Sequence, residues 1–389
     1  MGKQSKRDNI AISKNTMIPF NKPYFTGKET QYIEEAIHTG KISGNGIFTK
    51  KCQDFFETQY GFKKALLTTS CTDALEMCAI LANVNKEDEI IIPSYTFVST
   101  ALPFVREGAK IVFADSYEEN PNIDVSKIEE LITPKTKAIV VVHYAGVACD
   151  MDEIMRLANK YNLIVIEDAA QAIDSFYINK NGEKKPLGSI GHLAAFSFHD
   201  TKNIISGEGG LLVINDENLI KRAEIIWEKG TNRASFFRGE INKYSWVDKG
   251  SSFLPSEIIA AFLWAQLENL EKIQTKRKLI WNTYYDNLSK KANSNFSLPK
   301  IPNYATNNGH MFYLTFDNLE NRTAAISKLK EYNISSFFHY LSLHKSEFYI
   351  DKHDGRILKN SDKFTDCLLR LPLFYELETE QVNMITDLI

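Results

Sequence analysis

Three stretches of the chain carry residue types that could do chemistry together. The first is Phe196-Ser197-Phe198-His199-Asp200-Thr201-Lys202-Asn203, followed by Gly207-Glu208-Gly209-Gly210. Lysine is the side-chain amine that forms Schiff bases, and it becomes nucleophilic where burial or a nearby cation lowers its pKa. The glycine-rich turn lacks GxGxxG spacing and leads into an apolar run, so it is no dinucleotide fingerprint. The second stretch is Ile164-Val165-Ile166-Glu167-Asp168-Ala169-Ala170-Gln171, an apolar run that ends in two acids. Ligands of open α/β sheets gather at the carboxyl ends of strands, which is where Asp168 falls. The third is Leu67-Thr68-Thr69-Ser70-Cys71-Thr72-Asp73-Ala74-Leu75, where small polar residues lead into a helical pattern. Free N–H groups at such a helix start bind phosphate. Each stretch alone has a plainer reading: an exposed lysine, a strand-end carboxylate capping the next helix, an ordinary Ser/Thr N-cap.

The elements that must position these groups are legible between residues 60 and 215. Candidate strands are Ala65–Leu67, Glu89–Ile92, Lys110–Ala114, Ala138–His143, Leu163–Asp168, Ala195–Phe198 and Gly210–Ile214. Several are nearly continuous in apolar residues, as strands covered on both faces are. Amphipathic helices lie between them. Asp150-Met151-Asp152-Glu153 resembles a capping box, and Met151, Ile154, Leu157, Ala158 and Tyr161 follow at helical spacing. Strands alternating with helices predict an α/β fold with a mainly parallel sheet. Residues 216–229 read as a helix and 230–253 as a long polar and aromatic loop, a kind often functional. Ser256 then opens an apolar helix running from Glu257 to Ile273. Strand-like runs at Met311–Phe316 and Ser335–His339 predict a smaller C-terminal α+β domain.

Composition sets limits. The chain has 389 residues, 43% hydrophobic, enough for a substantial core, and a formal net charge of −3. That balance makes no case for nucleic acid or an anionic membrane. No run of about 18 apolar residues predicts a spanning helix. The five cysteines, Cys52, Cys71, Cys78, Cys149 and Cys367, are odd in number and lack CxxC spacing. Neither a disulfide framework nor a zinc site is indicated, and reduced thiols in a cytosol are the simplest reading. Residues 1–16 are polar, without the apolar region of a signal peptide. The expected division is a flexible tail over 1–16, a large domain over 17–255, and a connecting helix with a small domain over 256–389.

An amine, an acid for a ring nitrogen and a phosphate cup are what pyridoxal 5'-phosphate (PLP) chemistry needs in one chain. With that combination in view, the sequence resembles the nucleotide-sugar aminotransferases of PLP fold type I, the DegT/StrS group. The matching segments include Glu89-Ile90-Ile91-Ile92-Pro93-Ser94-Tyr95-Thr96-Phe97, Val165 to Gln171, and Phe196 through Lys202-Asn203 to Gly210. The subgroup it most resembles is that of dTDP-4-amino-4,6-dideoxygalactose transaminases. That likeness rests on Ser70-Cys71-Thr72, Val142 to Cys149, Glu228 to Arg233 with Phe236-Phe237-Arg238-Gly239, and Gly250-Ser251-Ser252.

The resemblance implies a fold and a set of roles. The fold is that of PLP fold type I, a mainly parallel seven-stranded sheet in the large domain. Lys202 would hold PLP and shuttle protons. Asp168 would pair with the pyridine nitrogen, Gln171 lie near the phenolic oxygen, and Tyr95 stack on one ring face. Ser70, Cys71 and Thr72 with Ser197 would hold the phosphate. Much of the wider family has Gly-Tyr-Asn-Tyr-Arg before the helix at 256, whose Asn reaches the partner subunit's cofactor. Here Ser252 stands at the Asn position and Leu254 at the Arg position. A serine hydroxyl still donates to phosphate but reaches less far.

The resemblance also implies a cytoplasmic homodimer with active sites at its interface, to which Phe262, Trp264 and Leu267 could contribute, though core packing explains them equally well. It implies transfer of an amino group from L-glutamate to C4 of a dTDP-linked 4-keto-6-deoxyglucose for surface polysaccharide such as lipopolysaccharide O-antigen. Arg233, Arg238 and Lys243 are candidate partners for the nucleotide diphosphate, or else solvated charges. The Lys41-Ile42-Ser43-Gly44-Asn45-Gly46 loop, with Ser43 and Asn45, could close over the sugar. His143 could touch the cofactor pocket or be a hydrogen-bonded structural histidine. His310, His339 and His344 could line the sugar end. No HExxH pair is present, so no metal is expected. Alternatives are amination at carbon 3, the opposite configuration at carbon 4, or a non-catalytic PLP-fold regulator. A dehydratase relative carries histidine in place of the lysine, and Lys202 argues against it.

Overall fold

The computed structural model describes residues 17–291 and 295–389, so the tail expected over 1–16 lies outside it. Nine strands belong to the first part of the chain: β1 (Lys64–Thr68), β2 (Glu89–Pro93), β3 (Lys110–Ala114), β4 (Thr136–Val142), β5 (Ile164–Asp168), β6 (Phe176–Ile178), β7 (Lys184–Pro186), β8 (Leu193–Ser197) and β9 (Gly210–Ile214). All but the β6–β7 hairpin form one seven-stranded sheet in the order β1-β9-β8-β5-β4-β2-β3. Neighbours from β8 to β3 run parallel. Strand β9 runs antiparallel to both β1 and β8.

The apolar runs become strands because both of their faces are covered. Side chains alternate across a strand. Ile91, Val112, Val141, Val165 and Val213 pack into one buried cluster. Ile90, Ile92, Ile111, Val140, Ile166 and Leu212 pack into another. The covering helices are α1 (Glu29–His38), α2 (Ile47–Tyr60), α3 (Cys71–Leu81), α4 (Leu102–Arg106), α5 (Met151–Tyr161), α6 (Ile220–Trp227), the short α7 (Arg233–Phe237) and α8 (Glu257–Leu267). Asp150 caps α5 by accepting the Glu153 N–H, and Ser256 caps α8 by accepting that of Ile259.

The remaining elements build a smaller layer: α9 (Leu270–Leu288), β10 (Phe296–Ser297), β11 (Phe312–Phe316), α10 (Leu319–Glu331), α11 (Lys359–Cys367), β12 (Leu368–Leu371) and α12 (Thr379–Leu388). Strands β10, β11 and β12 pair antiparallel in that order. Their core joins Phe312, Leu314, Leu369, Val382 and Ile385 to Ile18 from the start of the described chain.

Two expectations differ. The apolar helix over 257–273 is two helices, broken at Glu268 and Asn269. The Asn269 side chain donates to Ala265 O at 3.0 Å, a local bond that competes with the helix ladder. Helix α8 packs in the large core through Ala261, Leu263 and Leu267, and the crossing to the small layer falls inside α9, between Ile273 and Ile280. The run Ser335–His339 forms no strand. Its backbone bonds to Ile18 at Ser335 and then to Arg370 at Phe337, so no continuous ladder develops.

Candidate active site

Topology brings the three chemical stretches to one sheet edge. Strands β1 and β8 both run antiparallel to β9, so Thr68 and Ser197 each face Gly210 across the ladder. Asp168 ends β5, which runs parallel to β8. A Cβ at Gly210 would lie 2.4 Å from the Ser70 carbonyl and 2.5 Å from Cys71 N. The glycine therefore allows α3 to start directly over the strand ends. Above this edge lies a cavity of about 720 Å³, lined also by His310, His339 and Arg370 of the small layer.

Lys202 lines that cavity, half-buried in the turn after β8, its N–H donating to His199 O at 2.9 Å. Burial holds its amine below the usual lysine range. Cys71 and Asp168 oppose that shift, and Arg370 adds to it. The neutral, nucleophilic form is thereby favoured. Asp168 is buried on the same cavity. Thr100 Oγ1 donates to its Oδ2 at 2.7 Å and Ala170 N to its Oδ1 at 3.2 Å. Burial pushes this carboxyl above its ordinary range, against the two donors and Lys202. Thr100 is itself fixed by a 2.8 Å bond with Thr96 Oγ1.

The adjacent acid, Glu167, points to the other side of the sheet. It accepts the N–H groups of Gly188, Ile190 and Gly191 and a 2.8 Å bond from His143 Nε2. Cys149 N donates to His143 Nδ1 at 3.2 Å, so the neutral ring carries its proton on Nε2. His143 is wholly committed to this buried pair and does not line the cavity; it is a structural histidine and not a sugar contact. Burial pushes Glu167 up, yet His143 and the glycine N–H groups outweigh it and hold the carboxyl low.

At the start of α3, Ser70 Oγ caps the helix by accepting Asp73 N at 3.1 Å. The N–H groups of Cys71 and Thr72 are the first of the helix and have no acceptor within it. Thr72 Oγ1 meets Ser99 Oγ at 2.8 Å. Ser197 lines the same wall. This donor set suits a phosphate dianion. Gln171 also lines the cavity, held by Ala145 N on its Oε1 at 2.6 Å while its Nε2 donates to Tyr340 OH at 3.0 Å.

Several expected residues are placed elsewhere. Tyr95 is 1% exposed, packed among Tyr144, Tyr340 and Phe364, and takes no part in the cavity wall. Phe97, two residues on and 55% exposed, lines it instead. The chain leaves β2 after Pro93, so strand alternation no longer decides which aromatic faces the ligand. Ser252 is exposed, bridged to Glu228, and lies off the cavity. Ser43, Asn45, Arg233, Arg238 and Lys243 do not line it either. Asn45 donates to Glu228 at 3.4 Å, Arg233 lies 3.8 Å from Glu228, and Arg238 pairs with Glu224 and Glu240. Of the histidines, His310 and His339 line the cavity, whereas His344 is bonded to Ser94. Leu267 is buried in the chain's own core, and Phe262 packs on Phe25 and Trp264 on Phe55.

Phe97, Thr100, Tyr340 and Arg370 were not singled out from the sequence. Only Arg370 left a signal there, a lone cation within the apolar run Leu368-Leu369-Arg370-Leu371.

Comparison with known proteins bears on the family and the fold. Residues 23–389 match the model of the DegT/DnrJ/EryC1/StrS aminotransferase family. The chain is 33% identical over 346 residues to an uncharacterized protein of Methanocaldococcus jannaschii, covering 86% of each. It is 30% identical over 383 residues to the spore coat polysaccharide biosynthesis protein SpsC of Bacillus subtilis, covering 96% of each. Its fold matches the Streptococcus pneumoniae protein Spr1654 in its PLP form with TM-score 0.85 and 24% identity, covering 96% of this chain and 97% of that one. The architecture is the PLP-dependent aminotransferase fold, and the amine, acid and phosphate cup around the cavity have the chemistry PLP demands. This chain therefore belongs to the DegT/DnrJ/EryC1/StrS aminotransferase family.

Proposed function

We propose that the protein transfers an amino group from L-glutamate to C4 of dTDP-4-keto-6-deoxy-D-glucose, giving dTDP-4-amino-4,6-dideoxy-D-galactose for a surface polysaccharide. The observation that carries the aminotransferase reading is that Lys202 and Asp168 share one cavity with a phosphate-binding helix start. The choice of sugar rests on the subgroup resemblance of Ser70-Cys71-Thr72, Val142 to Cys149 and Gly250-Ser251-Ser252.

Each residue has a task in this reading. PLP, when bound, supplies an electron sink for the carbon that loses its proton. Lys202 would hold the cofactor and, once the donor amine has displaced its own amine, would move protons between carbons as acid and base. Asp168, its carboxylate aimed by Thr100, would keep a proton on the ring nitrogen by its negative charge. The Cys71 and Thr72 N–H groups, with the Thr72 and Ser197 hydroxyls, hold the phosphate. Phe97, which lines the cavity, would cover one ring face, the task first expected of Tyr95. Gln171, fixed by Ala145 and Tyr340, would lie near the ring oxygen. His310 and His339 line the sugar end. Ser252, Ser43, Asn45, Arg233, Arg238 and Lys243 lie off their own cavity. In a cytoplasmic homodimer their task falls on the partner's site.

The test is incubation of the PLP-loaded protein with L-glutamate and dTDP-4-keto-6-deoxyglucose, with NMR of the product. A C4 amine of galacto configuration is expected. A gluco product, or reaction only with the 3-keto isomer, removes the sugar assignment and keeps the enzyme class. No amino transfer to any nucleotide-linked keto-sugar removes both.

A further inference from the structure

The reading above puts the acceptor sugar in the cavity without saying which atoms recognise it. We propose that Nε2 of His310 is a fixed hydrogen-bond acceptor for a ring hydroxyl of that sugar, with Asn203 as the positioning residue that sets the ring. This rests on the aminotransferase reading and deepens it by assigning one contact of the acceptor subsite.

Asn203 follows Lys202 in the chain and is buried. Its Nδ2 donates to Gln274 Oε1 at 2.8 Å and to Asn308 O at 2.9 Å. A main-chain carbonyl only accepts, so the amide nitrogen must be the atom that faces Asn308. Gln274 is oriented in turn, its Nε2 reaching Ile173 O and Asp174 Oδ2, each at 3.4 Å. Asn203 Oδ1 is thereby an acceptor, and it lies 2.8 Å from His310 Nδ1. Nδ1 carries the ring's proton and donates it to that bond. The other nitrogen of a neutral imidazole, Nε2, is then a bare lone pair.

The ring is held from several sides. His310 N donates to Asn308 Oδ1 at 3.0 Å, and its carbonyl accepts from Arg277 Nη2 at 2.7 Å. Asn308 is buried and donates through Nδ2 to Gln171 O and Ile173 O. Arg277 is buried as well and also grips Gly309 O and Leu373 O. His310 lines the cavity, and its Nε2 has no partner among the described residues. Burial first, then Lys202, Arg277 and Arg370, keep this ring well below the usual value of 6.5, so Nε2 stays unprotonated. His339 is set less firmly. Its partner, Tyr144 OH, is able to donate or accept, so that bond fixes no tautomer.

An acceptor without a partner selects a donor. Phosphate, diphosphate and carboxylate groups are themselves acceptors, and a lone pair repels them. The amine of the amino donor passes to the cofactor and does not stay in place. The ring hydroxyls of the keto-sugar remain O–H donors from binding to release. A hydroxyl on or near the carbon next to the ketone is rigidly placed relative to the reacting carbon. A bond to it therefore orients that carbon as well as selecting the sugar.

The test is amination of dTDP-4-keto-6-deoxyglucose and of its 2-deoxy and 3-deoxy analogues by the PLP-loaded protein, unaltered and as His310→Asn. Asparagine keeps an amide N–H for Asn203 and lacks the Nε2 acceptor. The unaltered protein should lose about ten- to a hundredfold in kcat/KM on one of the analogues, the cost of leaving that nitrogen unpaired. In His310→Asn the intact sugar should lose a similar factor and the analogue no more than the intact sugar. The half-reaction with L-glutamate should stay within about threefold, as an uncoupled step does. Cofactor absorbance and melting temperature report whether the variant is folded. If it is not, 15N NMR of the histidine-labelled unaltered protein decides: a neutral ring protonated on Nδ1, whose Nε2 signal moves when dTDP-fucose binds, is expected. Absence of such a ring, or an Nε2 signal that ignores the sugar, overturns the assignment. So does equal use of all three sugars by the unaltered protein, undiminished discrimination in folded His310→Asn, or equal damage to the L-glutamate half-reaction. Amination without discrimination removes this contact alone, whereas no amination of the parent sugar removes the acceptor reading and this contact with it.

Discussion

In the proposed reading Lys202 and Asp168 act as a pair, because one would supply a movable proton and the other fix the charge that makes its removal possible. Lys202→Ala should lower kcat by about 10²–10⁴-fold, the range of a lost general acid–base group, in the coupled assay with both substrates. Asp168→Asn removes the ionic partner of the ring nitrogen. The pKa of that nitrogen should fall by at least about one unit in a pH titration of cofactor absorbance, with kcat falling too. An unchanged titration would place Asp168 away from the ring. The two aromatics of the Tyr95-Thr96-Phe97 segment separate cleanly. Phe97→Ala should weaken cofactor retention with little loss of stability, since Phe97 is largely exposed. Tyr95→Ala should cost about 3–5 kcal/mol of folding stability, as truncation of a buried aromatic does. Equal effects of the two substitutions on cofactor retention would reject the exchange of roles.

At the scale of elements, α8 and α2 are tied by one carboxylate. Glu257, in the first turn of α8 and 1% exposed, accepts the N–H groups of Gly46, Phe48 and Thr49 and the Thr49 hydroxyl. It caps the start of α2 from another helix, where negative charge also complements the helix dipole. Glu257→Gln keeps the shape but loses charge and part of this acceptor set. It should lower unfolding free energy by about 1–3 kcal/mol, seen as a lower denaturant midpoint at unchanged slope. No change in midpoint would show that the cap is dispensable. The sequence does not announce this bond. Glu257 reads as an ordinary first-turn acid of α8, and its partners lie more than 200 positions earlier.

The whole molecule is two packed layers with the cavity at their seam. His310 Nδ1 bonds Asn203 Oδ1 at 2.8 Å, next to Lys202, and His339 bonds Tyr144 OH at 2.7 Å, so small-layer histidines grip the large layer. Both are held well below the usual value of 6.5, by burial first and then by neighbouring cations. Below that pH the unfolded chain takes up protons that the folded one refuses. Stability is therefore full above about 6.5 and falls as the solution is acidified below it. Replacing His339 by Gln should flatten that acid slope by up to about 1.4 kcal/mol per pH unit in denaturant titrations at a series of pH values. An unaltered slope would mean that the folded state protonates this ring as easily as the unfolded one.

All seven candidate strands of the large sheet were readable from sequence, because strands covered on both faces must be apolar along their whole length. Lys202, Asp168 and the polar start of α3 stood out as candidates by residue type and local order, each with a plainer reading alone, and their roles came from the resemblance. What sequence could not decide is orientation and long-range company. Glu167 and Asp168 are neighbours in the chain, yet one holds His143 behind the sheet and the other faces the cavity. Period-two alternation separates two faces without saying which meets the ligand. The exchange of Tyr95 for Phe97, the removal of the 230–250 cations from their own cavity, and the arrival of Arg370 at the cavity wall depend on packing between residues distant in the chain. Only the folded layers bring those side chains together, because local spacing carries no information about contacts closed across such long loops.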